Sequence, residues 1–144
     1  VILSLLAMTA ASAAPIANQV HRTNVENEGR RYEVSYRADV TTSTQQIGMS
    51  AGTRPSTERC LWSVRVAVIR DVTPTTGAAL SHRLDDDNVI RGSHFGKCSE
   101  NRGNVAASIA RRADDVRAHL VKAADRDADR LAADLRSAQQ FAAN

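Results

Sequence analysis

Five residues, His82, Asp85, Asp86, Asp87 and His94, form the densest grouping in this sequence of side chains able to do chemistry. Imidazole nitrogens and carboxylate oxygens ligate divalent metals. If His82 and His94 stand on neighbouring strands of one hairpin, their rings converge and the Asp run sits at the tip. His82, Asp85, Asp87 and His94 are then the candidate metal ligands. The same residues also make an ordinary solvated turn, in which Asp and Asn side chains bond their own backbone. The run is not a calcium loop, because it lacks the central glycine and the closing glutamate.

Other chemistries find less support. Glu58, Asp71 and the Asp run offer paired carboxylates, but glycoside hydrolysis needs two acids held across a cleft at a fixed separation. A small sheet with one helix leaves little room for that. No G-x-S-x-G, H-E-x-x-H, Walker or Rossmann pattern occurs. The stretch GMSAGTRP at 48–55 has two glycines without phosphate-cradle spacing. No cofactor is expected.

Cys60 and Cys98 are the two cysteines. Their spacing is not the C-x-x-C of a redox-active pair. His94 close before Cys98 leaves a thiol–imidazole reading open, although such a dyad is defined in space and not in sequence. In an oxidising compartment two thiols normally form one bridge. A Cys60–Cys98 disulfide would close a loop of about 38 residues and stabilise the fold by roughly 3–4 kcal/mol.

The start of the chain points to such a compartment. Val1 to Met8 are nearly all apolar, Thr9 to Ala14 are small, and the first charged side chain is Arg22. An apolar run followed by an A-x-A stretch, Ala11-Ser12-Ala13, reads as a signal peptide over residues 1–14, cut after Ala13 or Ala14. The apolar character fades too early for a permanent span of ~20 residues, so no membrane span is expected after cleavage. The expected location is periplasmic or secreted.

The elements that must position these groups follow from periodicity. Residues 15–29 are polar with little pattern and read as a flexible N-terminal segment. A single domain is expected over 30–141. Tyr32, Val34, Tyr36, Ala38 and Val40 alternate with polar residues, which is a strand with one buried face. Trp62, Val64, Val66 and Val68 form the buried face of a second strand over 59–71. Residues 79–84 and Val89 to Phe95 read as two further short strands around an 85–88 turn.

From about Asn104 to Phe141 the period changes to that of an amphipathic helix, with Asn101 or Asn104 as its cap. Its apolar stripe thins at Asp127, so the helix either breaks near 123–129 or continues and projects beyond the sheet. Surface pairs are expected between Arg111 and Asp115, Arg130 and Asp134, and Asp127 and Arg130. Strands first and helix last give an α+β fold: an antiparallel meander of three to four strands, packed by one long C-terminal helix and tied by one disulfide.

The net charge is +3 with acids and bases interleaved, which argues against nucleic acid as a partner. Arg37 and Arg65 on the polar sheet face are either ion-paired to neighbours or a docking face. The long 41–58 stretch, with Gly48, Arg54 and Glu58, is the first candidate for a binding loop, because loops beyond ~12–15 residues are often functional. Together these features favour a non-catalytic secreted or periplasmic domain that binds a protein or an anionic envelope component, with self-association through the C-terminal helix as a further possibility. The alternatives are a small metal-dependent or hydrolytic enzyme using the His82–Cys98 region, and a protein inhibitor presenting the 41–58 loop.

Overall fold

The structure, a computed structural model, describes residues 15–75 and 78–143 except the side chains of Asp86 and Ala143. The signal peptide expected at 1–14 lies outside the described residues. Four strands, β1 (Val20–Asn27), β2 (Arg30–Ile47), β3 (Arg59–Pro74) and β4 (Leu80–Phe95), form one antiparallel sheet in the order β1-β2-β3-β4. Two helices follow, α1 (Arg102–Ala110) and α2 (Ala113–Ala143). This is the expected α+β meander with a long C-terminal helix.

The alternating apolar residues decide which face the helices cover. Tyr32, Val34, Tyr36 and Ala38 of β2, and Trp62, Val64, Val66 and Val68 of β3, are buried. Leu84 and Ile90 of β4 join them, and Val105, Val116, Leu120, Ala123, Leu131 and Leu135 come down from the helices. Within α2 these positions recur at spacings of three and four once the buried Asp127 is counted, so one stripe meets one sheet face. The other sheet face is open and polar.

Four boundaries differ from the sequence reading. Residues 15–29 are not a flexible lead-in: Ile16–Asn18 form a 3-10 turn, and β1 pairs with β2 from Val20–Arg37 to Asn27–Arg30. Only Val20 and Val25 are apolar in β1, so its order comes from the ladder with β2 and not from its own pattern. The hairpin between them turns on Glu28 and Gly29 at φ 51° and 75°, the positive pair that a two-residue type I′ turn requires.

Residues 41–47 are not loop either. They continue β2 against β3 as far as Ile47–Arg59. Threonine favours extended backbone, but both faces of this stretch are exposed, so no apolar alternation marks it. The loop shortens to Gly48–Glu58.

The 85–88 turn is absent, and β4 is one strand. Leu84 pairs with Val68 and Asn88 with Val66, so Asp85, Asp86 and Asp87 stand opposite the single Ala67. This is an enlarged β-bulge. The helix breaks at Arg111 and Arg112, where Arg112 N–H turns back to the Ile109 carbonyl at 2.9 Å. It does not break at 123–129. Asp127 takes a core position there, and a buried arginine satisfies it.

That arginine is Arg70, on the apolar face of β3. Its guanidinium donates to Asp127 at 2.7 Å and to Asp134 at 2.6 Å, and the Tyr36 hydroxyl donates to the same Asp127 oxygen at 3.0 Å. Burial opposes the charge on Arg70, but the two carboxylates hold its pKa above the ordinary arginine value. Among the described residues the helices carry the surface pairs Arg112–Asp115 and Arg117–Asp114, while the buried Asp127 and the half-exposed Asp134 both reach Arg70. No helix among the described residues is long and apolar enough to cross a membrane.

Candidate binding surface

The four candidate metal ligands all lie on β4 and are not brought together. His82 is in register with Arg70 and His94 with Cys60, roughly 33 Å apart at about 3.3 Å per β3 residue. His94 Nε2 instead meets Ser108 Oγ of α1 at 2.9 Å. Asp87 pairs with Arg65 at 3.4 Å and reaches Arg83 at 4.0 Å, and Asp85 is exposed. Among the described residues no group of three or more His, Cys, Asp or Glu is placed to hold a metal ion. The hairpin that would have converged the histidines does not exist, because both belong to one strand.

Glu58 and Asp71 fall near opposite ends of β3, so they do not form a catalytic pair. Asp71 is engaged on the open face. Burial raises its pKa, but the Ser81 hydroxyl and the Arg37 guanidinium at 2.7 Å outweigh that and hold it below the usual carboxylate value. Arg83 similarly meets Asp39 at 3.2 Å. Both arginines singled out on this face, Arg37 and Arg65, therefore have carboxylate partners.

Cys60 and Cys98 are bridged, with their Cα atoms 4.8 Å apart. The bond ties the start of β3 to the Cys98–Glu100 3-10 turn that leads into α1. It also removes the thiol that a His94–Cys98 dyad would need. The expected cap Asn101 does precede α1, but its side-chain amide turns back to the carbonyls of Phe95 and Lys97 at 2.8 and 2.9 Å. Asn101 thus locks the end of β4 to the helix entry.

The disulfide-anchored end carries the candidate binding loop. Gly48 has φ 86°, and a Cβ there would overlap the Thr57 carbonyl, so only glycine lets the two loop arms close. Thr57 N–H donates to the Met49 carbonyl at 2.9 Å, and Met49 N–H donates to Thr57 Oγ1 at 3.0 Å. The Glu58 carbonyl accepts from Gly96 N–H at 2.8 Å, which fixes the loop exit to the end of β4. Gly48 and Glu58 thus build the base of the loop. Arg54 sits at the exposed tip, where its N–H closes a turn on the Ala51 carbonyl at 3.1 Å.

Beside this loop the sheet exposes apolar groups. Register aligns Ile47 with Arg59 and Arg59 with Phe95, and all three project from the open face. Phe95 is 77% exposed, Met49 77% and Ile47 40%. The Arg59 guanidinium lies over the Phe95 ring, 4.6 Å from its centre, as a cation–π pair. Sequence reasoning missed Ile47, Met49, Arg59 and Phe95. Only their shared odd-numbered positions hinted at one face, and the register that joins them depends on where the loop ends.

No protein-family model, no curated protein and no solved structure matches this chain.

Proposed function

We propose that this chain is a non-catalytic extracytoplasmic domain that docks a protein partner through its disulfide-anchored end. The observation that carries the reading is the Ile47–Arg59–Phe95 row with Met49 beside it. Aromatic, Met and Arg side chains are enriched at the cores of protein interfaces and at their hot spots. A Phe left three-quarters exposed loses the burial that a core aromatic gains, and a partner surface supplies it. The bridge and the loop-base hydrogen bonds hold the patch in shape before binding, which lowers the entropic cost of association. The apolar start of the chain and the paired cysteines support export.

The test has two parts. The full chain is expressed in a bacterial host, fractionated and weighed intact. Cleavage after Ala13 or Ala14 with both thiols protected from alkylation supports export, and an uncut cytoplasmic chain with free thiols defeats it. A photo-reactive residue is then placed at Phe95, and another at Leu80, which is exposed 56% at the far end of β4. A discrete adduct from position 95 alone, competed by unlabelled protein and lost with Met49→Ser, supports docking. Equal labelling from both positions defeats it.

One observation favours a second reading. The Gly48–Glu58 loop is clamped at its base, as a loop inserted into an enzyme cleft would need to be. An inhibitor role predicts that Arg54→Ala abolishes binding while Phe95→Ser leaves it intact, the reverse of the first reading.

A further inference from the structure

Sheet order leaves β4 at an edge, where alternate N–H and C=O groups point outward and can template another strand. The Asp85–Asp87 bulge blunts one stretch of this edge. The next stretch is regular, paired to β3 from Asn88–Val66 to Arg91–Ser63. Among the described residues, no backbone–backbone hydrogen bond outside the ladder involves Asp87 to Arg91.

A groove of about 570 Å³ runs along this stretch. One wall is the five consecutive residues Asp87 to Arg91. The other is one face of α2, from Asp115 through Ala118, His119 and Lys122 to Arg126. Consecutive strand residues point to both sheet faces, so a wall containing all five is the strand edge itself. The strand wall is roughly 14 Å long at about 3.4 Å per residue, and the helix wall is about 16 Å at 1.5 Å per residue. The two run side by side over the length of a five-residue extended segment. Ala118, small and exposed, leaves width between them.

The charge of the groove selects the occupant. Among the described residues, Arg91, Arg112, Lys122 and Arg126 line it against two carboxylates, Asp87 and Asp115. Both carboxylates already hold an arginine, Asp87 with Arg65 and Asp115 with Arg112. Arg91 and Lys122 are exposed and form no ion pair among the described residues. A second copy pairing β4 to β4 would bring like charges together. We infer that this groove takes an extended acidic peptide segment, which adds a strand to the β4 edge and sets neighbouring carboxylates against Lys122 on the helix side and Arg91 on the open face. Main-chain bonds supply affinity and the flanking cations supply selectivity, as in other strand-addition sites. This site is separate from the Phe95 patch.

The test uses the full chain with its disulfide formed and three blocked heptapeptides. One repeats Glu-Glu-Val, so that its carboxylates face both sides of an added strand, one repeats Lys-Lys-Val, and the third is the glutamate peptide with alternate amide nitrogens methylated. Binding is followed by fluorescence anisotropy at low and moderate salt. The glutamate peptide is expected to bind, to weaken with salt, and to slow amide exchange in Asn88 to Arg91. Lys122→Glu with Arg91→Glu should lower its affinity at least tenfold, while Phe95→Ser leaves it unchanged. If the reversed pair does not fold, Lys122→Gln with Arg91→Gln should lower affinity severalfold. No binding at millimolar peptide, equal binding of the lysine or methylated peptide, or protection of β4 by a protein dimer instead, overturns the inference.

Discussion

Arg70 and Asp127 meet at 2.7 Å with both side chains only 4% exposed. One comes from the middle of the sheet and the other from the middle of α2, so the pair joins the two layers at the point where the apolar stripe of the helix is interrupted. Asp134 and the Tyr36 hydroxyl complete the set.

Removing one partner of a buried pair strands the other charge and costs about 3–5 kcal/mol. Asp127→Ala should therefore lower stability by about that amount, read as a fall in the urea midpoint. Replacing both groups with Arg70→Met and Asp127→Leu should recover most of the loss. A double variant as unstable as the single would show that the pair contributes more than mutual neutralisation.

Tyr36 sets the alkaline limit. Burial first, and then the Asp127 charge and its hydrogen bond, push the phenol pKa well above its ordinary 10.0, while Arg70 pulls the other way. A group whose folded pKa is raised contributes stability in full below its unfolded value, and that contribution is lost as pH rises beyond it. Unfolding free energy should hold steady up to about pH 10 and fall above it. Tyr36→Phe should lose about 1–2 kcal/mol at neutral pH, the worth of a hydrogen bond to a charged acceptor, and should flatten the alkaline decline. The comparison is urea unfolding of both proteins between pH 8 and 11.

The bridge closes a sequence separation of 38. Reduction, or Cys60→Ala with Cys98→Ala, should lower stability by about 3–4 kcal/mol by the chain-entropy account. The loss should appear first as faster amide exchange in the Gly48–Glu58 loop and the start of α1, because those are the segments the bond joins.

Gly92 faces Trp62 across the β3–β4 ladder, and a Cβ there would overlap the indole ring. Gly92→Ala should force the ring aside and cost about 1–3 kcal/mol, typical of overpacking. Trp62 is the one tryptophan, so a changed near-ultraviolet dichroism band at 290 nm reports its displacement directly. An unaltered band with unaltered stability would contradict the close packing.

The two strands with a buried face announced themselves because Tyr32, Val34 and Tyr36, or Trp62, Val64 and Val66, alternate with polar neighbours. The helix did so through Val116, Leu120, Leu131 and Leu135. β1 and the far end of β2 did not, because their partners and not their side chains make them strands. The Asp85–Asp87 run was misread since a bulge and a turn draw on similar polar residues. The Arg70–Asp127 pair did leave a trace. Arg70 has the same parity as Val64, Val66 and Val68, and Asp127 fills a gap in an apolar stripe. The fold sets the two opposite one another, where they meet at 2.7 Å. The patch around Phe95 left only a shared parity, because it depends on a register spanning three strands.

The bulge in β4 fixes how this sheet can tolerate insertion and deletion. Three residues stand where one would keep the ladder regular, so the excess is even and Leu84 and Ile90 stay on one side. Deleting any two of the three aspartates would straighten the strand and leave inside and outside unchanged. Deleting one would leave two residues opposite Ala67, the ordinary bulge, which bends the strand locally without reversing its faces. At this point the gene can lose one or two codons while Leu84 and Ile90 keep their places in the core.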